Sequence, residues 1–282
     1  MTLPYDIRNG ICYAEIQPAS PSGRTFLLLH GLGGSLGFWT AVAPAIGDAA
    51  RTIVIDVPGF ARSAPPPGPT TLDSVAEATV AFCHEIDVKS CTVVAHSLGG
   101  LIGLAVAAKD PDLCERIVLV DATPVSAIGL VRHPWRALRV PSLAVTFVAQ
   151  FLAGIVPLRP RTARLIARSR VLRKLALWPF VERPAALDPT VTADALSYTG
   201  GVAAVFRVLR QSRSLDLTAL LAGAGVPVDL VRGENDRMNT ATDFAIVRTH
   251  ADVRRELVIK QCKHWPLIEA PEVLVDFILA EE

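Results

Sequence analysis

Ala95-His96-Ser97-Leu98-Gly99-Gly100 is the stretch on which the fold turns. A β-rich apolar run, Cys91 to Val94, leads into it, and a small-residue helical pattern, Leu101 to Ala108, leads out. A serine at a sharp strand-to-helix turn presents its hydroxyl above a sheet. The next backbone N–H, that of Leu98, then lies at a helix N-terminus, where it can meet a developing negative charge. Small residues flank the serine because strand and helix pass too close there for larger side chains.

Other short apolar runs surround this turn. They are Phe26 to Leu29, Thr52 to Ile55, Ile117 to Val120, Val228 to Val231 and Leu257 to Ile259. Most lack period-2 alternation, which predicts strands covered on both faces. Helical patterns fall between them, near 74–85, 98–108 and 242–249. Alternating strand and helix predicts an α/β chain with a mostly parallel central sheet flanked by helices. The segment before Phe26 is expected to hold edge strands.

Residues 126–215 break the alternation, with helical patterns and prolines but no convincing core strand. They are expected to form a helical insertion, or cap, on a core made of residues 1–125 and 216–282. The insertion carries 14 basic residues against three acidic ones, and the remainder carries 14 against 24. The near-neutral total of +1 therefore conceals a basic insertion on an acidic core.

Around Ser97 stand the other parts of an acyl-transfer site. His30-Gly31-Leu32-Gly33-Gly34 follows the first buried strand, and its glycines let the Leu32 N–H point toward the same oxyanion as the Leu98 N–H. Gly233-Glu234-Asn235-Asp236 and Lys263-His264-Trp265-Pro266 follow the strands near Val228 and Leu257. Both groups sit at carboxyl ends of strands, where open α/β sheets place their sites. The order Ser97, Asp236, His264 suits a nucleophile, an orienting acid and a base. Asp121, just after Ile117 to Val120, and Glu234 are the alternative acids. Trp39 and His30 are candidate substrate-binding residues. For His30 the stronger reading is a brace for the oxyanion loop, and for Trp39 a core position is as good. His96 is expected to pack in the elbow. No metal-ligand cluster is visible, and no cofactor is expected.

These motifs resemble the α/β-hydrolase superfamily, in the group whose helical cap follows the sixth strand. They are His30-Gly31 with Phe38-Trp39, the loop Asp56 to Ser63, the elbow at 95–100, Gly233 to Asp236, and His264 to Pro271. The resemblance covers the chain outside the cap. It implies a serine-nucleophile, esterase- or lipase-like hydrolase with a catalytic triad, a nucleophile elbow and an oxyanion hole, acting on a small hydrophobic ester. A C–C bond hydrolase would use the same triad. A peripheral lipid-binding protein with this fold is the non-catalytic reading. Three positions depart from the pattern, each where glycine is commoner: Ala95, Ala61 and Lys263. If the Lys263 amine came near the imidazole, it would disfavour imidazolium.

Five cysteines with no metal or redox spacing read as incidental thiols of a reducing compartment. No secretory signal is legible in Met1 to Asp6, so the cytoplasm is the expected location. Ser142 to Leu158 is free of charge, near the lower limit for a membrane span. A span there would put Ser97 and His264 on opposite sides of a bilayer, so roofing helices over a greasy pocket are expected instead. Between Arg170 and Trp178, Val171, Leu172, Leu175 and Trp178 share one helical face, and Arg170, Arg173 and Lys174 take the other. Two readings stand for this helix. One packs its apolar face on the core with its basic face solvated; the other lies on an anionic membrane. Nucleic acid is not an expected partner, because the basic residues lie among aliphatic ones.

Overall fold

Alternate residues of the central strands enter two different cores. Leu27, Leu29, Val93, Ala95, Ile117 and Leu119 face one layer, and Phe26, Leu28, Val94, Val118 and Val120 face the other. Both sides need apolar residues, so the sequence runs show no alternation. The structure is a computed structural model. It describes residues 3–20, 23–122, 125–133, 135, 138–139, 141–200 and 215–280.

Among these, eight strands form one sheet: β1 (Asp6–Arg8), β2 (Ile11–Ile16), β3 (Thr25–Leu29), β4 (Arg51–Ile55), β5 (Cys91–His96), β6 (Cys114–Val120), β7 (Val228–Gly233) and β8 (Val253–Ile259). Their spatial order is β1-β2-β4-β3-β5-β6-β7-β8. The pairs β1–β2 and β2–β4 are antiparallel and all others parallel; of the two strands before Phe26, β1 is at the edge and β2 is paired on both sides. β5 lies at the centre of the parallel part, and its C-terminal end delivers the elbow.

On one face lie α2 (Leu72–Glu85) and α3 (Leu98–Lys109), with the later helices Leu217–Gly223 and Ala241–His250. On the other lie α1 (Ala43–Ala49) and the helix Pro271–Leu279. Thr71 caps α2 through a reciprocal bond with Ser74, which fixes where that helix begins.

Between β6 and β7 the described residues hold α4 (Val125–Arg132), α5 (Pro141–Ile155), α6 (Pro160–Arg168), α7 (Arg170–Leu177) and α8 (Pro189–Leu196), and no strand of the sheet. Residues 201–214 of the expected cap lie outside the described residues. Ala163, Leu177 and Leu196 join the second core, which fastens α6, α7 and α8 to the sheet. Among the described residues no helix is long and apolar enough to cross a membrane. Most of the charge-free stretch lies in the 15-residue α5, about 22 Å long at ~1.5 Å per residue. All five cysteines are buried and none is in a disulfide.

Candidate active site

The elbow is built by close approach. Ser97 has φ 53° and ψ −122°, a left-handed backbone that a serine tolerates only where its surroundings hold it. A Cβ on Gly99 would stand 2.5 Å from the Leu29 carbonyl oxygen, and one on Gly100 would stand 2.5 Å from the Ala122 Cβ. Glycine is thus required at both positions. Ala95 stands where glycine is commoner and faces Gly103; even a Cβ built on Gly103 would lie 3.5 Å from that of Ala95, an ordinary contact.

The structure brings Ser97, His264 and Asp236 together. Ser97 Oγ lies 3.1 Å from His264 Nε2, and His264 Nδ1 lies 2.9 Å from Asp236 Oδ2. The imidazole therefore donates from Nδ1 to the carboxylate and accepts from the serine at Nε2. Asp236 is buried, which by itself raises its pKa. The facing His264 and the bonds from Asp121 and the Met238 N–H outweigh that and bring it down to about 2. Asn239 donates to the same Oδ2 at 3.0 Å. The sequence reading missed Asn239; its signal was an amide three residues after the acid.

Asp121 is fully buried beside this pair and hydrogen-bonds to Asp236. Burial, then the Asp236 charge, push its pKa well above the ordinary value. It therefore holds its proton and donates it to Asp236, while Gly233 N–H approaches its oxygens at 3.1 and 3.2 Å. Glu234 is at the surface, bound to Lys260 Nζ at 2.6 Å, and has no bond to His264. Asp121, Asp236 and His264 offer ligand atoms within 4.8 Å of one another, a spacing open to a metal ion. Their mutual hydrogen bonds already account for the set, and an ion would have to break the His264–Asp236 bond.

His96 lies against His264, with ring centroids 5.0 Å apart. Its Nε2–H donates to the His264 carbonyl at 2.8 Å, and burial, then the adjacent His264, lower its pKa to about 3. It stays neutral and anchors the backbone of His264. The Lys263 amine turns away from the imidazole and bonds the Trp178 and Val181 carbonyls at 2.8 and 3.3 Å.

The two candidate substrate-binding residues, His30 and Trp39, are both buried. His30 is buried, with Nδ1–H donating to the Gly31 carbonyl and Nε2 accepting from Val57 N–H, both at 2.9 Å. Both ring nitrogens serve the backbone, so it braces the loop. Trp39 is 0% exposed in the second core, whereas its neighbour Phe38 lines an apolar cavity. The two differ because the 3-10 turn Leu36–Trp39 aims successive side chains in different directions. Asp56 accepts from Leu36 N–H at 2.6 Å and from Arg62 Nε at 2.7 Å, and holds the same loop.

That loop presses on the elbow: a Cβ on Gly31 would stand 2.8 Å from Ser97 Cβ. Leu32, the next residue, lines an apolar cavity of about 420 Å³. Phe38 and Trp265 complete its core side, and Leu152, Leu175 and Trp178 come from the insertion. Leu98 opens α3, so no carbonyl one turn back in the helix takes its N–H.

The chain matches the family model described as the alpha/beta hydrolase fold over residues 24–271. RutD of Caulobacter segnis, provisionally named a carbamate hydrolase, is 36% identical over 40% of this chain and 43% of its own length. This chain thus aligns with less than half of that relative. A pimeloyl-[acyl-carrier protein] methyl ester esterase of Aeromonas hydrophila is 25% identical over 91% of this chain and 94% of its own. Among solved structures, a membrane phospholipase A described as a bacterial virulence factor superposes with TM-score 0.67 at 20% identity, over 98% of this chain and 83% of that one. With its family model spanning most of its length, the chain belongs to the α/β hydrolase fold family.

Proposed function

We propose that the protein is a serine hydrolase that cleaves a hydrophobic carboxylic ester through an acyl-enzyme intermediate, with residues 126–215 as a cap on the core of residues 1–125 and 216–282. The observation that carries this reading is the continuous chain from Ser97 Oγ through His264 to Asp236, at 3.1 and 2.9 Å, beside an apolar cavity. In this mechanism Ser97 Oγ attacks the ester carbonyl as His264 Nε2 takes its proton. Asp236 stabilises the imidazolium. The backbone N–H groups of Leu32 and Leu98 receive the oxyanion, each worth about 3 kcal/mol of barrier. Collapse breaks the ester C–O bond, and His264 returns the proton to the departing alcohol. Water, deprotonated by His264, then attacks the acyl-serine; the acid leaves and Ser97 is reprotonated.

The cavity supports an aliphatic acyl group: Leu32, Phe38, Leu158, Ile166, Leu177 and Trp265 offer it packing and no side-chain charge. A diketone-like substrate of a C–C bond hydrolase would call for more polar groups. A fluorophosphonate probe should label Ser97 and fail on Ser97→Ala; labelling that survives the substitution overturns the nucleophile. On p-nitrophenyl esters, kcat/KM should rise from acetyl to octanoyl. Equal values would remove the acyl pocket from the proposal.

A further inference from the structure

The helix α7 is turned the opposite way from a helix packed by its apolar face. Arg173 is buried beside Leu177, 3% exposed, with its guanidinium on the carbonyls of Ala167, Pro184 and Ala185. Val171 is 66% exposed, Leu175 68% and Trp178 45%. A helix that buries an arginine and exposes its aliphatic stripe gains nothing from that stripe in water, since apolar area left in solvent forgoes the burial that stabilises other helices.

The stripe is not isolated. On α5, Val145, Val148 and Leu152 follow at helical spacing and are exposed, as is Val156 just beyond the helix. Leu152, Val156, Leu175 and Trp178 belong to both sets: they are exposed, and they line the apolar cavity. The two stripes therefore meet at the cavity mouth. Arg170 and Lys174, one turn apart and exposed, edge the stripe of α7. From Ala122 to Val181 the sequence has ten basic residues and no acid.

We propose that this face docks on an anionic lipid bilayer, with Val171, Leu175 and Trp178 entering the headgroup–acyl boundary and Arg170 and Lys174 meeting lipid phosphates. Apolar side chains edged by cations suit that boundary, where one part of the face meets hydrocarbon and the other meets negative charge. An acidic soluble protein would satisfy the cations but would need its own apolar surface to cover stripes from two helices. Docked in this way, the cavity opens toward the membrane, and an acyl chain passes from lipid to cavity without crossing water. The docking does not rest on the ester reading and is read on protein that cannot turn over.

The test is sedimentation of full-length Ser97→Ala protein with vesicles of phosphatidylcholine, alone or with 30% phosphatidylglycerol. Binding is expected on the anionic vesicles, at least tenfold tighter than on the neutral ones and weakened by salt. Arg170→Gln/Lys174→Gln and, separately, Val171→Ser should each weaken it on the order of tenfold. Both variants should keep wild-type melting temperature and, with Ser97 restored, wild-type kcat/KM on a short water-soluble ester. The proposal is overturned by failure to bind anionic vesicles, with or without binding to an acidic protein. It is equally overturned if the variants, folded as wild type, bind as tightly.

Discussion

Replacing Asp121 by asparagine should leave an active and more stable protein, although a carboxylate at that position is a natural rival for the triad acid. Asp121 is 0% exposed, touches Asp236 and faces the Gly233 N–H. Its folded-state pKa is raised above the ordinary 3.8 by burial and by Asp236. Its contribution to stability is therefore complete below 3.8 and is lost as pH rises toward the folded-state value, at about 1.4 kcal/mol for each pH unit. Asparagine takes up no proton on folding. Its amide N–H can donate to Asp236 where the acid's O–H did, and its carbonyl can accept from Gly233. The variant should gain on wild type by about 1.4 kcal/mol per pH unit on the acid side, or roughly 3 °C per unit in a domain of this size. Urea unfolding at pH 4.5 and 5.5, with ester turnover at pH 7.5, measures both effects. Activity should stay within about threefold of wild type, while Asp236→Asn should lose on the order of 10³-fold or more. A stability gap that does not change with pH would refute the protonated Asp121. Collapse of Asp121→Asn activity with survival of Asp236→Asn would exchange the two roles.

Gly99→Ala should cost about 1–3 kcal/mol and lower kcat, since its methyl would meet the Leu29 and His30 carbonyl oxygens at 2.5 and 2.8 Å; an unchanged melting temperature would contradict the tight crossing. His96, with a pKa lowered from 6.5 to about 3, contributes stability that is present above pH 6.5 and lost as pH falls toward 3, at about 1.4 kcal/mol per unit. His96→Gln should remove one proton from the pH slope of urea unfolding, and an unaltered slope would mean that His96 is not buried neutral. Phe38→Ala should raise KM for octanoyl more than for acetyl esters, whereas Trp39→Phe should lower the melting temperature without changing chain preference; the reverse pattern would put Trp39 back at the substrate.

The sheet was legible because a strand covered on both faces must be apolar throughout, and β3, β4, β5, β6 and β7 each reveal themselves that way. β8 was only half legible. As the edge strand it alternates exposed and sheltered residues, and Arg255 turns inward to the buried Asp229 at 2.7 Å. Its charged half therefore reads as a loop. The elbow and the placement of His264 beside Ser97 were legible because close packing and proton transfer demand particular residue types. The choice of acid was not, since it depends on which of two buried carboxyls ionises. The orientation of α7 was also beyond the sequence. The periodicity separates its two faces but does not say which is inward, and Arg173 entered the fold by finding three carbonyls.

The backbone of His264 is gripped from two directions. Its carbonyl is held by His96, next to the nucleophile, and its N–H donates to the Phe180 carbonyl at 3.0 Å, with the Lys263 amine bound to the carbonyls on either side. The inserted helices are thus not an interchangeable module. A chimera that imports foreign helices there but keeps residues 178–182 retains the carbonyls of Trp178, Phe180 and Val181 that hold His264 and Lys263. A junction placed inside those five residues exchanges those helices and dislodges His264 in one cut. Diversification of this scaffold by recombination has its natural seam upstream of Trp178.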